Sequence, residues 1–289
     1  GDGTFNRVWE EGYGPTPDEL ATQLRRDGIR GVTGQVIADA SLFDSRRGTP
    51  ATNFAPDIPD LGGQLAALTY DHGAAARRLS PAAFAARQFA RTLRRAGIRA
   101  HAARFTGTSP PDARTLATVS SPPMTVLLKL TDVPSDDFFA EMLTKQLGAR
   151  FGGAGTTAAG AGVIAAALGR LGLTPRIVDG SGLSRSDRTS PLQVVDLLRR
   201  LWRTPTGALL RRDLAVVGVS GTVQQLAVHT PAHGRCQAKT GTLNYVTNLA
   251  GYCEALGGHT LAFALFLDGP SNWRGGQLLG RMIAAIARY

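Results

Sequence analysis

Apolar positions along the chain switch between helical spacing and strict alternation, and clusters of Gly, Pro and charge mark the switches. Thr16-Pro-Asp-Glu19 combines a capping residue, a proline in the first turn and two acids. It predicts a helix that buries Leu20 and Leu24 and stops at Gly28. Gly31 to Asp39 reads as a strand, 40–59 as a long irregular loop, and Leu65 to Tyr70 as another strand. Ser80-Pro81 starts a second helix that runs to Arg95 and stops at Gly97, after which Ile98 to Thr106 resumes as a strand. The middle of the chain predicts a short helix through Lys129 and a helix after Val133-Pro-Ser135. A further helix leaves the Gly- and Ala-rich loop 151–162 and ends near Gly172, and another runs from Val194 to Trp202.

The clearest pattern lies near the C-terminus. Gly234-Arg-Cys-Gln-Ala-Lys-Thr-Gly-Thr242 predicts a strand carrying Lys239-Thr240-Gly241, followed by a tight turn and a second alternating strand. With the turn at Asn244 and Tyr245, Leu243 faces Val246 and the register sets Cys236 opposite Cys253. Those cysteines form either a disulfide or two neighbouring buried thiols, and a slip of one residue separates them. A third strand at Thr260 to Leu267 and a helix from Gly276 to Arg288 complete an antiparallel sheet flanked by helices, an α/β (α+β) class of fold. A shift of composition over Asp71 to Ser80 divides the chain into 1–78 and 79–289.

Length and composition narrow the function. With 289 residues, 43% of them hydrophobic, the chain can bury a substantial core. Its longest apolar run, Leu261 to Leu267, fits a buried strand and is too short to cross a bilayer. A start at Gly1 without a signal peptide leads to the expectation of a processed or partial chain. The net charge is +10, and only Lys129, Lys145 and Lys239 are lysines. Arginines fall in scattered pairs such as Arg25-Arg26 and Arg94-Arg95, with no run interleaved with aromatics. That is a solvated surface, for which no nucleic-acid partner is expected, while a weak peripheral attraction to an anionic cell envelope fits the charge. His229 and His233 have metal-pair spacing, but Pro231 between them argues against a helix, so neither a metal nor a cofactor is expected.

Lys-Thr-Gly on a strand is a weak signal alone. Here it closes an ordered series. Gly1-Asp-Gly-Thr-Phe5 and Ala38-Asp-Ala-Ser-Leu-Phe-Asp44 come first, then Ser135-Asp-Asp137 with Ala140-Glu141 on the helix after it. Asp179-Gly-Ser-Gly-Leu-Ser-Arg185, Gly218-Val-Ser-Gly-Thr222, Lys239-Thr-Gly-Thr-Leu243 and Leu249-Ala-Gly-Tyr252 follow. In this order, over nearly its whole length, the chain resembles the class C low-molecular-mass penicillin-binding proteins, serine D-alanyl-D-alanine carboxypeptidases and endopeptidases of bacterial cell-wall metabolism. The resemblance implies a penicillin-binding/β-lactamase-like domain over 79–289, with 1–78 as a smaller inserted domain. It also implies an exported, extracytoplasmic protein whose partners are peptidoglycan stem peptides and β-lactams.

By the same resemblance, Lys239 and Thr240 hold the terminal carboxylate of the peptide or of a β-lactam, since a cation and a hydroxyl suit a carboxylate. Gly241, lacking a side chain, lets the substrate lie against the strand, and the N–H of Thr242 forms half of an oxyanion hole. Ser135 relays a proton between a catalytic lysine and the leaving amine, and Asp137 stands where the family has Asn. Arg185, Asn244 and Asp57 match positions lining the pocket for the diamino-acid side chain. Plainer roles are a helix cap for Ser135 with its two acids, a salt bridge for Arg185 and a turn for Asp57.

Two departures stand out. An ionised Asp137 only accepts hydrogen bonds where an amide would also donate, so impaired turnover is expected. The family's Ser-x-x-Lys pair is absent, because Val126, Met142 and Cys236 stand three residues before the lysines. In the family that pair precedes the Gly-Asp-Pro-Thr-Leu segment, so a chain lacking its N-terminal portion, and with it the nucleophile, is expected. The alternatives are a non-catalytic peptidoglycan-peptide-binding fragment or homologue and, from another class, an Arg-rich nucleic-acid-binding domain.

Overall fold

The structure is a computed structural model that describes residues 2–6, 14–101 and 105–289. Its first elements are α1 (Pro17–Arg26), β1 (Ile37–Ala38), α2 (Ile58–Leu61), α3 (Pro81–Arg95) and β2 (Phe105–Thr106). Then come α4 (Met124–Asp132), α5 (Asp137–Phe151), α6 (Thr157–Arg170), α7 (Pro191–Leu201) and α8 (Pro205–Asp213). The chain closes with β3 (Ala215–Val216), β4 (Cys236–Leu243), β5 (Val246–Glu254), β6 (Thr260–Asp268) and α9 (Asn272–Ile286). Two compact units form: Gly1–Pro123 with Asp137–Val163 and Val178–Ser184, and Met124–Asp136 with Ile164–Ile177 and Arg185–Tyr289. Among the described residues no helix is long and apolar enough to cross a membrane.

In the first unit, helix starts follow the local sequence. Thr16 and Glu19 close a capping box, with Glu19 N–H donating to Thr16 Oγ1 at 3.3 Å and Thr16 N–H to Glu19 Oε1 at 2.9 Å. Ser80 Oγ caps α3 by accepting from Ala83 N–H at 3.1 Å. α3 then packs Leu93 against Ala21 and Leu24 of α1, and Ala82, Ala86 and Ala90 against Ala38. By these contacts α3 belongs with the elements before it in the first unit.

The expected strands of this unit are corrected. Among the described residues, Gly31 to Asp39 and Ile98 to Thr106 pair at one bridge, Gly31 with Arg99, and at the parallel pair Ile37–Phe105 and Ala38–Thr106. Residues 102–104 of the second prediction, and Gly1 of the first motif, lie outside the described residues. Leu65 to Tyr70 is no strand, because neighbouring loops take its backbone groups. Leu65 N–H donates to Arg47 O at 2.9 Å, and Gln64 N–H to His72 O at 2.8 Å. Part of the expected loop 151–162 is helix: α6 begins at Thr157, where a Cβ on Gly160 would lie 1.9 Å from Thr144 O. Small residues are what let α6 approach α5 so closely.

The second unit holds the antiparallel sheet, ordered β3-β4-β5-β6. β4 and β5 pair from Leu243–Val246 at the turn to Cys236–Cys253, as the hairpin pattern predicted, and a disulfide joins the two cysteines. Cys236, Ala238, Leu249 and Phe263 face Leu279 and Ile283 of α9. On the opposite face Tyr252 packs with Leu198 of α7, Leu214 and Trp202. β3 and α8 were not anticipated, although Thr204-Pro205 signals the helix start: Thr204 Oγ1 accepts from Gly207 N–H at 3.0 Å. α9 begins at Asn272, ahead of the expected Gly276, and a Cβ on Gly275 would lie 2.6 Å from Thr247 Oγ1.

Candidate active site

The site is built on one strand edge. β5 pairs with β4 along its length, whereas β3 covers only the start, pairing Val216 with Gln237 and Ala215 with Ala238. Beyond Ala238 no strand pairs on that side among the described residues. Val217 N–H donates to Cys236 O at 2.9 Å on this side. Alternation along a strand therefore directs the backbone groups of Thr240 and Thr242 to the open stretch. An extended peptide can add there as a further strand.

Side chains converge on the same edge. Lys239 Nζ donates to Ser135 Oγ at 2.5 Å and to Thr240 O at 2.9 Å. Ser135 lies in the turn after α4 with φ +62°, and Asp136 N–H donates to Thr131 O at 2.8 Å, closing the turn. Thr240 Oγ1 donates to Thr222 Oγ1 at 2.8 Å. Gly241 and Thr242 are exposed, and a Cβ on Gly241 would meet only Asn248, at 3.7 Å. Packing within the chain does not demand glycine there, so the space beside it is free for a ligand.

A carboxyl sits behind Lys239. Burial pushes Asp132, the last residue of α4, up to about 6; Lys239 opposes the shift and Asp213 adds to it. Asp213 is 1% exposed; its Oδ1 accepts from Arg212 Nε at 3.1 Å, while its Oδ2 has no hydrogen-bond partner among the described residues. Neither Asp132 nor Thr222 had a role in the sequence reading. Thr222 closes a motif that was recognised for its order alone, whereas no sequence pattern marks Asp132.

The remaining expected residues divide. Within the second unit, Arg185 Nη2 donates to the backbone O of Asn244, in the β4–β5 turn, at 2.6 Å. Asp137 opens α5 and belongs to the first unit. Asp57 is in that unit too, where it caps α2 by accepting from Asp60 N–H at 3.3 Å. Also in the first unit, fully buried Glu141 accepts at Oε1 from Gly180 N–H, Ser181 N–H and Ser181 Oγ at 2.8, 2.9 and 3.0 Å. It thereby clamps the Asp179-Gly-Ser-Gly182 loop onto α5. Burial, and then Asp179, raise its pKa against these three donors.

Comparison with known proteins places the chain in a family. A family profile described as the D-Ala-D-Ala carboxypeptidase 3 (S13) family matches residues 59–287. A D-alanyl-D-alanine carboxypeptidase of Actinomadura sp. (strain R39) is 33% identical over 256 residues, covering 84% of this chain and 46% of that protein. The chain thus spans about half the length of that relative. The crystal structure of penicillin binding protein 4 (dacB) from Haemophilus influenzae superposes with a TM-score of 0.77, covering 94% of this chain and 79% of that one at 20% identity. A second structure of that protein, complexed with a β-lactam, gives a TM-score of 0.64 over 72% of this chain and 51% of that one at 24% identity. These last two are likenesses of fold. The profile spans most of the chain and runs through Ser135, the Asp179 loop and the Lys239 strand, so the chain belongs to the D-Ala-D-Ala carboxypeptidase 3 (S13) family.

Proposed function

We propose that this chain carries the carboxylate-binding edge of a serine-type D-alanyl-D-alanine carboxypeptidase or endopeptidase that acts on peptidoglycan stem peptides through an acyl-enzyme. The observation that carries this reading is Lys239 Nζ on Ser135 Oγ beside the open edge of β4. A peptide ending in D-Ala-D-Ala lies along that edge as an added strand. Its carboxylate meets Lys239 and Thr240, and its scissile carbonyl faces the N–H of Thr242. Ser135, held by Lys239, passes the proton to the leaving amine. β-Lactams carry a carboxylate at a comparable distance from a reactive carbonyl and occupy the same edge. Arg185 and Asn244, joined at the hairpin turn, flank the end of the edge that receives the diamino-acid side chain. Residues 1–78 are read as the family's inserted domain, and the place of action is outside the cytoplasm.

Acyl transfer needs a nucleophile. No serine stands three residues before Lys129, Lys145 or Lys239, so residues 1–289 by themselves bind the ligand without bonding to it. Benzylpenicillin is therefore expected to displace N-acetyl-D-alanyl-D-alanine while the intact mass stays unchanged. A stable adduct of one penicillin per chain would overturn the non-covalent part, and failure to compete would overturn the shared edge.

A further inference from the structure

We infer that the open cleft between α9 and the loop at 226–230 is a binding subsite for a phosphate monoester. It lies within the second unit and is independent of the carboxylate-binding reading.

The cleft has a volume of about 380 Å³. Gln277 and Arg281 of α9, and Arg288 just past its end, line one side of it, and Ala227 and Thr230 line the other. Alternation along β4 turns Lys239 away from this side of the sheet, since its neighbour Ala238 faces α9. The charge of the cleft is uncompensated. Neither Arg281 nor Arg288 makes an ion pair or a side-chain hydrogen bond among the described residues, and no lining residue is acidic. One guanidinium offers five N–H donors, so two offer far more than the two oxygens of a carboxylate can use. A phosphate monoester carries close to two charges near pH 7 and has three terminal oxygens, so it can engage both forks at once.

The rest of the cleft suits the carbon part of an ester. Gly280, Ala284 and Ala227 give it a small, apolar lining. A Cβ on Gly280 would meet Leu226 Cδ1 at 3.5 Å, an ordinary contact, so packing within the chain does not demand glycine there. The missing side chain leaves that space to a ligand. The facing loop is held by its own bonds: Thr230 Oγ1 donates to Ala227 O at 2.8 Å and accepts from Ala232 N–H at 3.2 Å, and Leu226 N–H donates to Val223 O at 3.0 Å. A wall fixed before the ligand arrives lowers the cost of ordering it.

Calorimetric titration with glycerol 3-phosphate, in buffer free of other phosphate, tests the site. One equivalent should bind, and acetate should bind at least about tenfold more weakly. Arg281→Gln and Arg288→Gln should each weaken the phosphate ester about tenfold. Arg274→Gln removes the same charge from an exposed position of α9 outside the cleft lining, and should leave binding unchanged. Gly280→Leu keeps every charge, fills the cleft and should abolish binding. Flotation with vesicles containing phosphatidic acid distinguishes the source of the monoester. Binding to the vesicles alone, with the same dependence on Arg281 and Arg288, assigns it to a lipid headgroup. Binding to neither probe, acetate as tight as the phosphate, or equal losses in Arg274→Gln and Arg281→Gln overturns the inference.

Discussion

Ser135 has φ +62°, a conformation in which a residue with a Cβ is strained by about 1 kcal/mol. The turn accepts that cost and in return aims Oγ at Lys239 Nζ. Ser135→Ala loses the hydroxyl and keeps the strain, whereas Ser135→Gly loses both. In urea unfolding the Gly variant should be about 1 kcal/mol more stable than the Ala variant, and equal stabilities would refute the strain. Asp132 gives a second prediction. Its carboxyl titrates at about 6 in the fold against an ordinary 3.8, so folding favours its protonated form. The stability contributed by Asp132 is therefore full below pH 4, falls as the pH rises to about 6, and stays lost above it. After a discount for partial exposure the loss is about 1 kcal/mol. Asp132→Asn should flatten this slope in unfolding measured at pH 4 and pH 7, and a slope identical to the wild type would exclude Asp132 as its source.

The hairpin of β4 and β5 was legible because its information is local. A tight turn, alternating residues and two cysteines all specify one register, and that register is found. Helix starts were legible for the same reason, through Thr16 and Ser80. Of the strands expected before residue 106, two survive among the described residues as the short pair β1 and β2, and Leu65 to Tyr70 is none, its alternation reflecting burial among loops. Leu65 and Thr69 are buried, yet Leu65 N–H bonds to Arg47 O, and Gln64 N–H just before the stretch bonds to His72 O. α6 was hidden by its glycines, which serve close packing on α5. Two predictions belong to these elements. Replacing both cysteines by alanine releases a constraint between residues 17 apart in sequence, and should cost about 3 kcal/mol in urea unfolding; a change of a few tenths would show the disulfide to be incidental. Glu141→Ala leaves the part-buried Gly180 N–H and Ser181 N–H without their acceptor and should cost about 2 kcal/mol, with faster amide exchange confined to the Asp179 loop. Exchange that rises uniformly over the first unit would mean that Glu141 supports the unit at large and clamps no particular loop.

At the scale of the whole chain, sequence order and spatial grouping part ways. Each compact unit is assembled from three separated segments, and Ser135 and Asp137, two positions apart, fall in different units. A single cut in the sequence cannot describe such a division. The site has the same character. Ser135 and Lys239 lie 104 residues apart, and no periodicity links them; only the ordered motifs of a family did. Thr222 and Asp132 carry no such mark of their place at the site, because one bonds to another hydroxyl and the other acts through the field at Lys239. The central claim is that Lys239 holds a ligand carboxylate at the open edge of β4. The direct measurement is the dissociation constant of N-acetyl-D-alanyl-D-alanine for the wild-type chain and for Lys239→Ala. Loss of a charge-assisted bond to the carboxylate predicts weakening of about thirtyfold or more, with the Ser135 turn still folded. Equal affinity of the two proteins would contradict it.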